Sequence, residues 1–193
     1  MDLLDAIKNR RSIHVFKEEK VPEELLTKIF SYATYAPTHY MTESWNVKIF
    51  ENGGKTFLID KLMNSYERLG MLKTESKEKT LKMRKSMSQF LHNIPHHALI
   101  YMPKQEDPVR YEEEYASVSA FIQNAQLVAW KFGVGMLWTI TPYMHDPEFY
   151  REIGLNSETE KIVAVLQIGY PKKIPKKRER TPIEEKLTFV REK

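Results

Sequence analysis

Residues 111–132 constrain the fold more than any other segment, because they predict one long helix rich in apolar and small side chains. Gly133 follows directly, and glycine suits the left-handed conformation that commonly ends a helix. A helix of this composition has to be covered by other elements of the fold. The sequence therefore predicts a central, largely buried helix, with an apolar face made of Tyr115, Val118, Ile122, Ala125, Ala129 and Phe132.

Four short segments with the composition of β-strands lie on either side of this helix. Apolar and polar residues alternate at 45–50, which predicts a half-buried strand. Residues 162–168 are almost continuously apolar, as strands buried on both faces are. The other two predicted strands are residues 98–102 and 135–139.

Further helices are predicted around these strands. A short helix includes Leu3, and a second begins at Pro22 and ends near Ala36, because Pro37 disfavours helical geometry in the residue before it. After a turn at 52–54, residues 55–94 have a helical composition. Together the elements predict one α+β domain over residues 1–193, with a central mixed or antiparallel sheet of four to five strands flanked by helices.

Composition and charge narrow the class of protein. The chain has no cysteine, which removes disulfides, thiolate metal sites and thiol nucleophiles. The N-terminal residues 1–5 are acidic, and no apolar run approaches the roughly 20 residues that a bilayer requires, so we expect a cytoplasmic protein without a membrane segment. The formal net charge of +4 suits nucleic acid, an anionic membrane surface or a phosphorylated small molecule.

No motif in the sequence supplies a catalytic centre made of side chains. Gly133 and Gly135 lack the third glycine of a dinucleotide-binding loop, and the chain has no Walker loop. His92 and His96 have Pro95 between them and no HExxH glutamate, so neither a metal site nor a catalytic side chain is predicted. If the protein is an enzyme, a cofactor is expected to supply the chemistry.

Two basic clusters at opposite ends of the chain are the candidate binding residues. Arg10, Arg11 and Ser12 directly follow the first helix, and two guanidiniums with a hydroxyl suit a phosphate. Arg178 and Arg180 occupy alternate positions, so an extended backbone would point both side chains the same way. Convergence of both clusters on one phosphate competes with the interpretation of each as a solvated surface, and charge patterning leaves both open.

Six short motifs follow one another along the chain, beginning with the segment RRSIHVF. They lie at residues 10–16, 21–25, 36–45, 133–138, 162–171 and 180–185. In this order they resemble the nitroreductase family of FMN flavoproteins over nearly the whole chain. Each motif is weak by itself, whereas six in register make a specific signal. The resemblance implies the fold of that family and an intertwined homodimer with FMN at its interface.

The resemblance also implies roles for the two basic clusters. Arg10 and Ser12 would hold the FMN phosphate and the ribityl chain, and Arg11 the polar edge of the flavin or the backbone. Arg178 and Arg180 match the late cations that close on the phosphate. NADH or NADPH would act as the electron donor.

A second group of residues is implied to lie near the flavin ring. Trp138, Thr139 and Ile140 match the segment that runs along the isoalloxazine. Tyr35 and His39 would approach the flavin of the other subunit.

Several positions depart from the family pattern. His14 stands where the family often has a further arginine, and histidine lowers the fixed positive charge at neutral pH. Met41, Glu43 and Ser44 replace the usual Asn, Gln and Pro before Trp45. Methionine cannot donate a hydrogen bond to a flavin carbonyl, and an ionised glutamate only accepts. Redox potential and choice of substrate are therefore more open than FMN binding.

The expected activity is a ping-pong reduction of nitroaromatic, quinone or similar electron-poor small molecules by NAD(P)H. Flavin destruction and reductive dehalogenation are alternatives within the same superfamily, and a flavin-binding protein without catalysis is another. A nucleic-acid-binding protein that uses the basic run at 172–180 is the most distant alternative, since that run lacks interleaved aromatic residues. We therefore expect no nucleic-acid and no membrane partner.

Overall fold

A four-stranded antiparallel sheet forms the middle layer of the structure, a computed structural model that describes residues 2–191. Its strand order is β2-β3-β5-β4, and a separate two-stranded sheet pairs β1 with β6. The predicted α+β class and the predicted number of strands are both confirmed. The strands are β1 (Val15–Phe16), β2 (Asn46–Phe50), β3 (His96–Pro103), β4 (Gly135–Thr139), β5 (Glu160–Gly169) and β6 (Pro171–Lys173).

The apolar run of β5 reflects burial on both faces of the sheet. Ala164, Leu166 and Ile168 belong to the hydrophobic core on one face, whereas Ile162 and Val165 belong to the core on the other. Successive side chains of a strand point to opposite faces, so a strand between two helical layers is apolar at nearly every position.

Five of the six helices within residues 2–191 cover the two faces of the sheet, and the first helix packs against the long central helix. Helices α2 and α5 pack together over one face, while α3, α4 and α6 contribute to the core on the other. The predicted central helix is confirmed as α5, and Gly133 beyond its end has a φ of +75°. The helices are α1 (Leu3–Asn9), α2 (Glu23–Ala33), α3 (Asn52–Arg68), α4 (Lys77–His92), α5 (Pro108–Lys131) and α6 (Pro147–Glu152).

Three local predictions were wrong or incomplete. Residues 52–54 form the first turn of α3 rather than a separate turn. The segment 55–94 is divided into α3 and α4, because Gly70 adopts a φ of +71° and Ser76 begins a new helix by accepting a hydrogen bond from the Lys79 amide. Helix α6 was not predicted, since its six residues are too short to show a helical period.

The segment that holds Ser12 lies beside the edge strand β4. Ser12 forms a parallel bridge with Met136, and the Ile13 amide donates to the Met136 carbonyl at 3.1 Å. Gly135 makes this approach possible, because a Cβ atom there would lie 2.5 Å from Cγ1 of the fully buried Ile13. The contact fixes the backbone that follows the first basic cluster.

A buried carboxylate ties α3 to the start of α6. Asp146 Oδ2 accepts a hydrogen bond from Ser65 Oγ at 2.5 Å and from Arg68 Nη2 at 2.8 Å. Burial opposes ionisation of Asp146, but the hydrogen bonds from Ser65 and Arg68 hold the pKa of its carboxyl below the usual value. The same residue caps α6 by accepting from the Glu148 amide.

Within residues 2–191, no helix combines the length and the apolar character that crossing a bilayer demands.

Candidate cofactor site

The two basic clusters line one pocket of about 930 Å³. One wall is the end of α1 and the segment after it, and the other wall is the extended chain that follows β6. Six of the predicted site residues therefore come together: Arg10, Arg11, Ser12, His14, Arg178 and Arg180. Their convergence supports the phosphate hypothesis over that of two unrelated solvated surfaces.

The pairing of β1 with β6 brings the two walls together. Val15 pairs with Lys173 and Phe16 with Pro171, a few residues after the first basic cluster and a few residues before the second. The Lys17 amide extends the contact by donating to the Tyr170 carbonyl at 2.8 Å. Two short strands that are distant in sequence thus place both groups of cations at one pocket.

Arg10 is positioned by the end of α1 and by the central helix. Its amide donates to the Ala6 carbonyl at 2.9 Å, and its Nη1 donates to Gln126 Oε1 of α5 at 3.2 Å. Arg11 folds back on the chain, since its Nη1 donates to the carbonyls of Lys8 and Arg10 at 2.9 and 2.7 Å. Arg11 therefore stabilises the segment as well as adding charge to the pocket.

The pocket concentrates positive charge without a matching negative charge. Burial lowers the pKa of the Arg10 guanidinium, and the nearby charges of Arg11 and Arg180 lower it further. Glu179 is the one carboxylate among the residues of the pocket wall that the structure describes. A site with half-buried, mutually repelling guanidiniums is stabilised by a bound polyanion, and a phosphate monoester with its three acceptor oxygens fits this requirement.

The predicted ring-contacting segment lies outside this pocket. Trp138 is partly buried and packs against the core that contains α2 and α5, and Thr139 Oγ1 donates to the Val165 carbonyl at 2.7 Å. Ile140 follows the end of β4 and is exposed. Because Ser12 bridges to the start of β4, this segment lies farther along the strand that borders the pocket.

Tyr35 and His39 also lie outside the pocket, in the connection between α2 and β2. Tyr35 is 84% exposed, and His39 Nδ1 lies 3.2 Å from Glu113 Oε1 on α5. The structure of one chain does not bring them to the cation cluster, so their predicted place beside the flavin of a second subunit stays a prediction.

The loop between His39 and β2 has an unusual backbone. Tyr40, Met41 and Glu43 adopt φ values of +49°, +54° and +44°, a region that non-glycine residues seldom occupy. The Glu43 amide donates to Thr38 Oγ1 at 3.1 Å, which helps to hold this conformation. Positive φ at such positions is characteristic of functional loops, and it coincides with the departures from the family motif.

Several pocket residues were missed by the sequence analysis. Lys8, Lys176 and Lys177 line the walls, and Gln126 orients Arg10 from a nearly fully buried position. Gln126 had no distinct signal in the sequence, since Gln123 and Asn124 stand beside it in α5 and only the structure shows which amide is buried. Lys176 and Lys177 belonged to the basic run at 172–180, but neither they nor Lys8 had a feature that separated them from solvated charges.

A model of the nitroreductase family matches residues 7–170. The chain belongs to the nitroreductase family. Its relatives include YfhC of Bacillus subtilis (strain 168), whose assignment as an NAD(P)H nitroreductase is itself provisional. YfhC is 33% identical over 187 residues, which cover 96% of this chain and 93% of YfhC.

Solved structures of the nitroreductase fold resemble the chain along almost its whole length. A nitroreductase-like family protein from Bacillus cereus superposes with a TM-score of 0.88 at 33% identity, covering 98% of this chain and 96% of that one. An oxidised iodotyrosine deiodinase bound to FMN and 3-iodo-L-tyrosine superposes with a TM-score of 0.71 at 23% identity, covering 98% of both chains. The second likeness shows the shared nitroreductase fold alone.

Proposed function

We propose that this chain is an FMN-dependent NAD(P)H oxidoreductase that reduces electron-poor acceptors such as nitroaromatics and quinones. The observation that carries the proposal is the single pocket that joins Arg10, Arg11 and Ser12 to Arg178 and Arg180. Membership of the nitroreductase family and the similarity to YfhC support it.

The residues of the pocket fit the phosphate end of FMN. Arg10 and Ser12 on one wall and Arg178 and Arg180 on the other would hold the phosphate from two sides. Arg10 has a neutral partner, Gln126, so its charge is free to pair with an anion. His14 stands at the same wall and would face the ribityl chain or the polar edge of the ring. We propose that Trp138, Thr139 and Ile140 border the ring.

Bound FMN would supply the redox chemistry, accepting a hydride from NAD(P)H and then reducing the acceptor. The side chains of this protein would bind the phosphate, orient the ring and exclude water. This division of labour agrees with a sequence that has no nucleophile motif and no metal-binding motif.

A homodimer is part of the proposal, and three features of the surface support it. Helix α1 exposes the apolar residues Leu3, Leu4 and Ile7. The connection between α2 and β2 exposes Tyr35, Tyr40 and Met41. Every residue from 172 to 191 is exposed, including apolar side chains. Soluble monomers seldom expose so much apolar surface, so a second copy is the expected cover.

A groove beside β2, at the opposite edge of the sheet from β4, offers a place for part of that second copy. It has a volume of about 560 Å³, lies between α2 and the edge strand β2, and is lined by Leu26, Phe30, Trp45, Val47 and Phe121. The outer edge of β2 has no neighbouring strand within residues 2–191. An extended apolar segment, such as residues 187–190 of a partner, would pair with this edge.

The proposed function is tested by cofactor titration and turnover. The protein loaded with FMN should be yellow, should lose its colour when NADPH or NADH is added without oxygen, and should recover it with a nitroaromatic acceptor. Arg180→Gln should weaken FMN binding roughly tenfold or more, since charge-assisted hydrogen bonds are the strong ones. Lys172→Gln is the matched control, because it removes one charge from the same segment outside the pocket. A colourless protein that takes up no FMN would contradict the proposal.

Reductive dehalogenation is a second candidate, supported by 27% sequence identity over 188 residues to an iodotyrosine deiodinase of Hydra vulgaris. It would use the same pocket and the same cofactor with a halogenated aromatic acceptor. Turnover with 3-iodo-L-tyrosine and with a nitroaromatic, measured on the same loaded protein, separates the two reactions. Loss of FMN during turnover in air would instead indicate flavin destruction. We place the activity in the cytoplasm, where NAD(P)H is supplied.

A further inference from the structure

The cofactor pocket contains more positive charge than one phosphate can neutralise. Four arginines and three lysines line it, against the single carboxylate of Glu179. None of these cations makes an ion pair within 4.0 Å among the side chains that the structure describes. A phosphate monoester carries about −1.5 to −2 charges at neutral pH. Several cations would therefore remain unneutralised with FMN in place.

The surplus includes the three lysines, which are as exposed as Arg178 and Arg180 of the second wall. Arg10 and Arg11 are half-buried, and Arg10 also has a partner in the central helix, so the arginines of the first wall are suited to a resident group. Lys8, Lys176 and Lys177 are exposed and lie on both walls. An ammonium group is a strongly hydrated point charge on a flexible stem, which suits an anion that exchanges with solvent.

The pocket also has room for more than a phosphate. Its volume of about 930 Å³ is near the upper end of the roughly 300–1,000 Å³ of small-molecule sites. In the proposed reaction the exchanging ligands are the electron donor and the acceptor. NADPH differs from NADH only by one phosphate, on the 2′ position of the adenosine ribose.

We propose that Lys8, Lys176 and Lys177 form an outer cation ring that binds this 2′-phosphate and makes the chain prefer NADPH to NADH. The inference rests on the proposed function, since it concerns the donor of that reaction. Each exposed ion pair contributes up to about a fivefold change in affinity, so three together should give a preference of roughly tenfold or more. Because the pairs are exposed, the preference should shrink as salt is added.

The test compares the FMN-loaded protein with its triple variant Lys8→Gln/Lys176→Gln/Lys177→Gln. The kcat/KM ratio for NADPH over NADH should be roughly ten or more in the original protein and close to one in the variant. Binding of 2′,5′-ADP and 5′-AMP, measured by calorimetry, gives a readout without turnover, and only 2′,5′-ADP should weaken. Lys172→Gln/Lys173→Gln is the matched control, since these residues lie on the same segment outside the pocket.

The outcomes separate this inference from the proposed function. Equal use of NADH and NADPH by the original protein, or an unchanged ratio in the triple variant, would overturn the inference while leaving FMN-dependent turnover in place. A protein that binds no FMN and oxidises neither donor would instead contradict the proposed function. If the triple variant loses activity only toward carboxylated acceptors, the three lysines bind the acceptor and their assignment to the 2′-phosphate is wrong.

Discussion

The buried histidine His97 should make the folded protein lose stability in mild acid. It is 1% exposed at the start of β3, and its Nε2 lies 3.1 Å from the Leu91 carbonyl, while its Nδ1 has no partner within residues 2–191. Burial lowers the pKa of His97 from 6.5 to about 4. The unfolded chain therefore binds a proton at this residue in a pH range where the folded chain does not.

The size of the effect follows from the two pKa values. The contribution of neutral, buried His97 to the free energy of unfolding is fully present above pH 6.5 and is lost as the pH falls from there toward 4. Each unit by which the pH falls within this range lowers the free energy of unfolding by about 1.4 kcal/mol. His97 should therefore lower it by about 2 kcal/mol between pH 7.5 and 5. The pKa of the neighbouring His96 is also lowered by burial, which adds loss in the same direction.

The measurement is the free energy of unfolding by urea at pH 7.5, 6.5 and 5, at one protein concentration and without added FMN. His97→Gln keeps a donor side chain and removes the titration, so its stability should fall by about 2 kcal/mol less than that of the original protein over this range. The exposed His145→Gln is the control and should follow the original protein. An equal fall in the original protein and in His97→Gln would refute the reasoning.

Three further changes test other parts of the structure. Gly135→Ala should lower the free energy of unfolding by about 1–3 kcal/mol and weaken FMN binding, because its Cβ collides with buried Ile13. An unchanged urea midpoint and an unchanged FMN titration would contradict this. Arg68→Ala should lower the free energy of unfolding by roughly 1–3 kcal/mol, because it leaves the Asp146 carboxylate short of donors. Ser65→Ala should lower it by less. Equal losses in the urea midpoint would argue against a special role for the Arg68–Asp146 ion pair. Truncation after residue 180 should shift the protein toward monomers in sedimentation and weaken FMN binding, since the proposed flavin site includes the second subunit. An unchanged dimer would exclude residues 181–191 from the interface.

The layers of the fold, a sheet covered by helices, could be predicted from the sequence. The continuous apolar run of β5 predicted a strand buried on both faces, and the apolar and small residues of α5 predicted the central helix. Both predictions depend on burial, and a buried segment shows itself in the sequence by its apolar composition. The division of 55–94 was not predicted, because it depends on a left-handed Gly70 and a serine cap within a segment of uniform helical composition.

The candidate site was predictable only in part. The charge of Arg10 and Arg180 was visible in the sequence, but their convergence depends on the pairing of β1 with β6, a contact between two very short strands that have no periodicity of their own. Gln126 was missed for a similar reason, since its partner Arg10 lies 116 residues away along the chain. The places of Tyr35 and His39 depend on a second copy and stay predictions.

The two walls of the cofactor pocket are made at very different times during synthesis. Residues 10–14 leave the ribosome early, and residues 176–180 follow after roughly 160 more have been added, which takes about ten to thirty seconds at ordinary rates of translation. The cations of the first wall therefore have no opposing wall for most of this period. A ligand that needs both walls can bind only after the sheet between them has formed, so cofactor loading reports that the chain has folded rather than guiding it to fold.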